Sequence, residues 1–283
     1  MAAVTGLEKV RSTQQGGRWR WSVFVLAALY FLVPLGASLW YTVYNANTGF
    51  SLAPYAELLT AEGFAQSLLL SLSLAVATIV LVLLLTLPAM LAVRLAAPRL
   101  RPVMEVLCTL PLVVPPITFV VGIGKSLAVG GEVLAPTPFW ATLIAIQNPG
   151  FPMVLVLAYV VLVLPFVYRS LDAGLRTMDV RTLVEAARNL GASWPYVMFR
   201  VIIPNLRSAI ASASFLTLAL VLGEFTVARL LGYQPFAVWI VTISGSRGQM
   251  SVAVSILSLL LIWLLLLVVS SVFGKERKHD RTE

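Results

Sequence analysis

Residues 185–204 read EAARNLGASWPYVMFRVIIP and lie between two long apolar runs of the chain. Glu185, Arg188 and Arg200 make this stretch too polar to cross a bilayer. Its apolar residues nevertheless recur at helical spacing, which a simple connector would not require. The stretch is therefore predicted to be a structured loop that joins two membrane-spanning helices.

The rest of the chain is dominated by apolar runs of membrane-spanning length. Of the 283 residues, 59% are hydrophobic and 11% are charged, and the mean hydropathy is +0.93. A helix needs about 20 apolar residues to cross the hydrocarbon core. The runs that meet this requirement are 21–44, 67–93, 103–123, 151–168, 202–222 and 252–273. We predict an all-α integral membrane protein with about six transmembrane helices, which excludes an ordinary soluble domain.

The basic residues indicate how the chain crosses the membrane. The formal net charge is +8, and all but three of the 20 Lys and Arg fall in segments on one predicted side. The exceptions are Lys125, Arg229 and Arg247. By the positive-inside rule, both termini are predicted to be cytoplasmic. The charge reports topology and contact with anionic membrane lipid, so nucleic-acid binding is not expected.

The residues just before and within the opening stretch predict a first short helix. Thr182 and Glu185 have the spacing of a capping box, in which each side chain bonds the backbone N–H of the other residue. An apolar stripe then follows opposite Arg188 and Asn189. Its members are Leu183, Ala186, Ala187, Leu190 and Trp194.

Three residues further along predict a turn and a second short helix. Gly191 can adopt the left-handed conformation that closes a helix. Ser193 can cap the next helix, with Pro195 in its first turn, where a missing N–H costs little. The two short helices are expected to meet at an angle and to lie along the cytoplasmic face.

The spacing of motif residues in this stretch is specific. Glu-Ala-Ala is followed by three residues, a glycine, nine residues, an apolar residue, one residue, and an apolar residue before proline. The residues in these positions are Glu185, Ala186, Ala187, Gly191, Val201, Ile203 and Pro204. The pattern resembles the EAA loop of the membrane-spanning permease subunits of type I ABC importers, with Val and Ile in place of the family's Ile and Leu. The segments 110–116 (LPLVVPP) and 164–166 (LPF) are similar to the same family.

The resemblance implies a domain organisation. A permease core would occupy 64–274, with the EAA loop at 182–204. The first transmembrane helix at 21–44 would precede this core. Cytoplasmic tails would lie at 1–20 and 275–283, in a multi-pass protein of a prokaryotic cytoplasmic (inner) membrane.

The resemblance also implies partners and a division of labour. In this family the EAA loop contains the coupling helix, which contacts the ATP-hydrolysing subunit and transmits its closure to the spans. The chain would therefore work with two ATP-binding cassette subunits, a second permease subunit, identical or related, and an extracytoplasmic solute-binding protein. It would catalyse no reaction and bind no cofactor, because ATP and Mg²⁺ would be bound by the partner ATPase.

Glu224 is the acidic residue that most suggests a translocation path. An ionisable group at the end of a spanning helix is costly against lipid, so it faces a water-filled path or a partner. Alternatively, it is a structural residue bonded to Arg229 or to a loop N–H. Pro115 and Pro116 either kink the third span and open a path or serve packing alone. With Phe225, these residues form the candidate path.

The segment 222–225 (LGEF) bears on the substrate. It resembles segments of polyamine permeases and of permeases for oxyanions such as sulfate and molybdate. A small charged solute is therefore expected. A polyamine is placed slightly ahead of an oxyanion, and ferric iron remains open.

Other functional classes fit the sequence less well. Gly124-Lys125-Ser126 matches part of a phosphate-binding loop, but Phe119 occupies the position where that loop needs a glycine. His279 is the only histidine, so neither a metal site nor a His-dependent hydrolase is expected. An ion-driven secondary transporter remains the main rival, although it would carry ionisable residues near the middle of its spans.

Overall fold

The computed structural model describes residues 2–45 and 49–274, which are mainly helical. In the first half of the chain the helices are α1 (Ala2–Val43), α2 (Ala53–Ala56), α3 (Phe64–Ala96), α4 (Arg101–Thr109), α5 (Pro116–Leu134), α6 (Phe139–Ala145) and α7 (Met153–Arg176). In the second half they are α8 (Val180–Asn189), α9 (Trp194–Tyr196), α10 (Ile203–Asn205), α11 (Arg207–Gly223), α12 (Thr226–Leu230), α13 (Phe236–Ser244) and α14 (Gly248–Gly274). A π-helical segment, Val197–Ile202, joins α9 to α10.

The contacts divide the chain into two compact units. One unit comprises the described residues of Met1–Thr60 and Ile243–Leu257, and the other those of Ala61–Thr242 and Ser258–Glu283. The predicted tail at 275–283, with His279, lies outside the described residues. The predicted tail at 1–20 continues the same helix as the first span, because α1 begins at Ala2.

The first unit contains a short hairpin after α1. Strands β1 (Tyr44–Asn45) and β2 (Gly49–Phe50) pair in antiparallel fashion. The side-chain amide of Gln249 donates to the carbonyl oxygens of Tyr41 (2.9 Å) and Tyr44 (3.1 Å). These bonds fix the end of α1 against the start of α14.

Helices of spanning length are present in the described part of the chain. Four are long and apolar enough to cross a membrane: Trp19–Val43, Phe64–Ala96, Pro116–Leu134 and Met153–Arg176. A fifth is obtained if Trp194–Asn205 and Arg207–Gly223, which meet at 78°, count as one span. The apolar stretch Gly248–Leu264 of α14 is shorter. The prediction of an all-α integral membrane protein is confirmed, and the count of six spans remains a prediction.

The third predicted span, 103–123, is not one helix. It consists of α4, a 3₁₀ turn at Leu110–Leu112 and the beginning of α5, which starts at Pro116. Prolines explain the break, because each lacks an N–H and disfavours the helical conformation of the residue before it. Pro116 suits the first position of α5 for the same reason.

Helix α7 is the centre of the second unit. It packs against α3 and α11, and its buried side chains face both. One hydrophobic cluster joins the C-terminal half of α7 to the segment that follows it, through residues such as Leu175, Val184 and Ile202. A second cluster surrounds Tyr159 near the end of α11. The two sites described below are each built on one of these clusters.

Candidate functional site

The first helix of the EAA loop begins one turn earlier than the sequence predicts. Asp179 is the N-cap residue of α8, and its carboxylate accepts hydrogen bonds from the backbone N–H (3.2 Å) and the hydroxyl (2.7 Å) of Thr182. The predicted capping box of Thr182 and Glu185 is therefore wrong. Glu185 instead accepts a hydrogen bond from Arg181 Nε at 2.8 Å, one turn before it. Aspartate outcompetes threonine as a cap because it also places a negative charge at the positive end of the helix.

The Asp179 cap provides a testable prediction about the start of α8. The hydrogen bonds from Thr182 lower the pKa of the Asp179 carboxyl below its ordinary value. Because the folded pKa is depressed, the cap is fully formed at neutral pH and is lost as the pH falls through that lowered pKa. We expect Asp179→Ala to accelerate amide hydrogen exchange of residues 180–183 at neutral pH, and Asp179→Asn, which retains an acceptor oxygen, to do so less. Equal exchange in both variants and the native chain would contradict this role.

The turn after α8 has the geometry predicted for Gly191. Its φ is +83°, in the left-handed region that favours glycine. The N–H of Gly191 donates to the carbonyl of Arg188 (2.9 Å), and the N–H of Ala192 donates to that of Ala187 (3.1 Å). This pair of bonds is the Schellman motif that closes a helix. The Arg188 guanidinium strengthens the turn, since it also donates to the Ala192 carbonyl at 2.9 Å.

The second half of the EAA loop is a separate helical segment that runs from α9 to α10. Ser193 occupies its N-cap position, but the Ser193 side chain makes no capping hydrogen bond. Pro195 lies in its first turn, as predicted. The segment then meets α11 at 78°. The loop thus forms two short helices that meet at a turn and return the chain to the spans.

The motif residues of the EAA loop divide between its exposed surface and its base. The exposed members are Glu185, Ala186, Gly191 and Pro204. The half-buried members, which pack on the hydrophobic cluster of α7, are Ala187, Val201 and Ile203. The motif therefore combines a surface that another molecule can reach with an anchor in the body of the unit.

Large apolar side chains cover the outer surface of the EAA loop. Leu190 is 89% exposed, Phe199 is 67% exposed, and Trp194 and Tyr196 are also exposed. The predicted apolar stripe is wrong for Trp194, because α8 ends at Asn189 and the Trp194 ring lies beside Arg188, whose Cζ is 5.7 Å from the ring centroid. Large apolar side chains exposed so close together in sequence, on a loop that also carries Glu185 and Arg188, are typical of a protein–protein contact.

Glu224 lies where α11 ends and α12 begins. One carboxylate oxygen accepts from the backbone N–H of Val227 (2.8 Å) and the other from that of Ala228 (3.1 Å). The structural alternative, a bond to a nearby N–H, is thus what the structure contains. The carboxylate also lines a cavity of about 280 Å³ between α5, α7 and α11. The structural alternative is confirmed by these bonds, and the place of Glu224 on a translocation path stays a prediction.

We call this space the Glu224 cavity, and it is mostly apolar. Its lining residues are Pro111, Leu112, Val114, Pro116, Tyr159, Leu162, Val163, Phe166, Leu220, Val221, Glu224 and Thr226. Of the candidate path residues, Glu224 and Pro116 line it. Pro115 and Phe225 are not among the lining residues, and Phe225 packs on the hydrophobic cluster of Tyr159.

Tyr159 is a polar residue of the Glu224 cavity that the sequence did not single out. It is 1% exposed, and its buried hydroxyl makes no hydrogen bond within the described part of the chain. The hydroxyl lies close enough to the Glu224 carboxylate to interact with it electrostatically. Buried polar groups are normally hydrogen-bonded, and the Glu224 carboxylate is the group with which this hydroxyl interacts. A tyrosine inside an apolar run carries no sequence pattern that reveals this.

Comparison with known proteins decides what kind of chain carries these two sites. Residues 99–275 match the family described as the inner membrane component of binding-protein-dependent transport systems. The chain belongs to this family. It is accordingly a transport permease subunit and multi-pass membrane protein, not an enzyme. The matched region contains both the EAA loop and the Glu224 cavity.

Curated relatives of this permease are similar over part of their length. The spermidine/putrescine transport system permease protein PotB of Haemophilus influenzae is 33% identical over 138 residues, which is 48% of this chain and 47% of the relative. The protein of the same name from Salmonella typhimurium strain SL1344 is 33% identical over 81 residues, 29% of this chain and 28% of the relative. The first match thus spans about half the length of the relative.

Proposed function

We propose that this permease is the polyamine-translocating subunit of an ATP-driven importer, coupled through the EAA loop to a separate ATPase. The observation that carries the proposal is that this member of a transport family exposes large apolar side chains on a two-helix loop that follows its central helix. Such a loop can pass rigid-body motion of a soluble partner into the spans attached to it. The chain's own work is then alternating access between two membrane faces.

The Glu224 cavity supports a cationic solute. Glu224 is the one charged side chain among the described residues that line it, and the Tyr159 hydroxyl lies beside it. A carboxylate in an apolar cavity attracts a protonated amine and repels an oxyanion. Two aromatic residues, Phe166 and Tyr159, are also among the lining residues. The names of the curated relatives, spermidine/putrescine permeases, agree with this chemistry.

The proposed importer has partners of three kinds. Two ATP-binding cassette subunits, which would bind the ATP and Mg²⁺, would receive the exposed side chains of Leu190, Trp194 and Phe199. A second permease subunit, identical or related, would complete the path. A solute-binding protein would deliver the polyamine on the outer side. The excess of Lys and Arg on one predicted side supports cytoplasmic placement of the EAA loop and of both termini.

Copurification tests the coupling part of the proposal. The chain is extracted from its native membrane in mild detergent, and the proteins that accompany it are identified by mass spectrometry and assayed for ATP hydrolysis. We expect an ATPase subunit to accompany the native chain and to be lost when Glu185 and Gly191 are both replaced. A matched control replaces Glu62 and Gly232, which lie outside the loop, and should keep the ATPase subunit. An ATPase-free native preparation, under conditions that preserve such complexes, would overturn the proposal.

A further inference from the structure

Asp172 joins three helices near the point where the EAA loop begins. It lies one turn before the end of α7, and its Oδ1 accepts from Arg94 of α3 (2.5 Å) and from Arg101 of α4 (3.3 Å). Its Oδ2 accepts from Arg176 Nε at 2.7 Å. Arg94 also donates to the backbone carbonyl of Leu175 at 2.9 Å. One carboxylate thus holds the ends of α3 and α7 and the start of α4 together.

The Asp172–Arg94 pair is much less exposed than the other two contacts. The side chain of Asp172 is 10% exposed and that of Arg94 17%, against 40% for Arg101 and 60% for Arg176. An exposed ion pair contributes little to rigidity, because water competes for it. A shielded pair with further hydrogen bonds is held in one geometry, since separation leaves a charge without compensation. The Arg94–Asp172 contact is therefore the rigid part of the cluster.

The neighbouring turns of α7 are held against α11. A Cβ built on Gly174 would lie 2.5 Å from the Cβ of Ala209, so the two helices approach as closely as glycine allows. The Ser170 hydroxyl donates to the Ala209 carbonyl at 3.0 Å. The EAA loop leaves from the end of α7 and returns at the start of α11. Both ends of the loop are consequently fixed to each other at Gly174 and Ala209.

We propose that Asp172, with Arg94, is the positioning residue that passes displacement of the EAA loop to the end of α3. The Gly174–Ala209 contact makes the two ends of the loop move together. The Asp172–Arg94 contact then ties this base to the end of α3, which lies outside the loop. Without it, the loop moves α7 and α11 while the end of α3 lags behind. This inference rests on the proposed coupling of the chain to an ATPase.

The test measures solute transported per ATP hydrolysed by the complete importer in proteoliposomes, with spermidine as the probe. We expect Asp172→Asn to retain the copurifying ATPase subunit and basal ATP hydrolysis, and to lower the transported amount per ATP by about fivefold or more. A purely structural role would lower the yield of complex and leave the ratio unchanged. The control Arg101→Gln removes the longer, more exposed contact and should keep the ratio within about twofold.

A double variant covers the case in which Asp172→Asn does not assemble. Arg94→Gln/Asp172→Asn removes both members of the shielded pair, so it should assemble while its ratio remains low. A native-like ratio in either variant overturns the inference. If the native importer transports no spermidine at the expense of ATP, the proposed function fails. If the native importer does transport spermidine at the expense of ATP, and the variants transport as much per ATP as the native importer, only the proposed role of Asp172 fails.

Discussion

Replacing Gly191 by aspartate is expected to abolish most solute uptake while the chain still inserts into the membrane. The residue sits at φ +83° with open space around its Cα, so the fold loses only the cost of an unfavourable backbone conformation, about 1–3 kcal/mol. The turn lies between Leu190 and Trp194, whose side chains are exposed. A distorted turn that also carries a new charge in this apolar surface should lower uptake and substrate-stimulated ATP hydrolysis by about tenfold or more.

Gly232→Asp is the matched control for this prediction. Gly232 has φ +85°, and a Cβ there would likewise meet nothing within 4 Å, but it follows α12 and lies outside the EAA loop. The two variants therefore carry the same backbone cost and the same added charge. We expect Gly232→Asp to keep uptake near that of the native chain. If Gly191→Asp keeps native levels of stimulated ATP hydrolysis and uptake, Gly191 does not take part in coupling to the ATPase.

Replacing Glu224 by glutamine is the second change with a large expected effect. The substitution removes the one charge among the described lining residues and preserves the shape of the side chain. A charge-assisted hydrogen bond contributes about 1.5–3 kcal/mol, so spermidine uptake should fall about tenfold or more. The initial rate of labelled spermidine uptake, measured with saturating solute-binding protein, reports this loss.

Glu224→Gln can lower uptake by weakening solute binding or by destabilising the start of α12, so the controls must distinguish these two effects. The glutamine oxygen can still accept one of the two N–H groups at Val227 and Ala228, and the thermal midpoint of the purified variant shows whether the helix start survives. Glu62→Gln removes an exposed carboxylate elsewhere in the same unit and should leave uptake unchanged. Undiminished uptake by Glu224→Gln would mean that the carboxylate only caps α12.

Three predicted spans, 21–44, 67–93 and 151–168, correspond to single helices of spanning length, because the length of an apolar run decides whether a helix can cross the bilayer. The third predicted span does not, because the apolar run 103–123 contains Pro115 and Pro116. Hydropathy does not register that a proline removes a backbone N–H, so a broken segment looks continuous. Similarly, hydropathy alone does not reveal the 78° bend before α11.

The candidate sites were predictable only in part. Motif spacing predicted the EAA loop and the left-handed Gly191, but it could not show that Asp179 caps α8 in place of Thr182 or that Trp194 lies beside Arg188. Asp172 and Tyr159 escaped notice because their roles depend on partners far away in the chain, such as Arg94 and Glu224. A single sequence does not say which faces of two helices meet.

The central claim is most directly tested by spermidine uptake into proteoliposomes that contain this permease with its copurifying partners. Uptake is followed with and without ATP on the side of the ATPase subunits, and with and without the solute-binding protein. The proposed function predicts accumulation that requires both, and that stops when the EAA loop is changed at Gly191. Accumulation by this chain alone, without ATP and driven by an ion gradient, would contradict it and identify a secondary transporter.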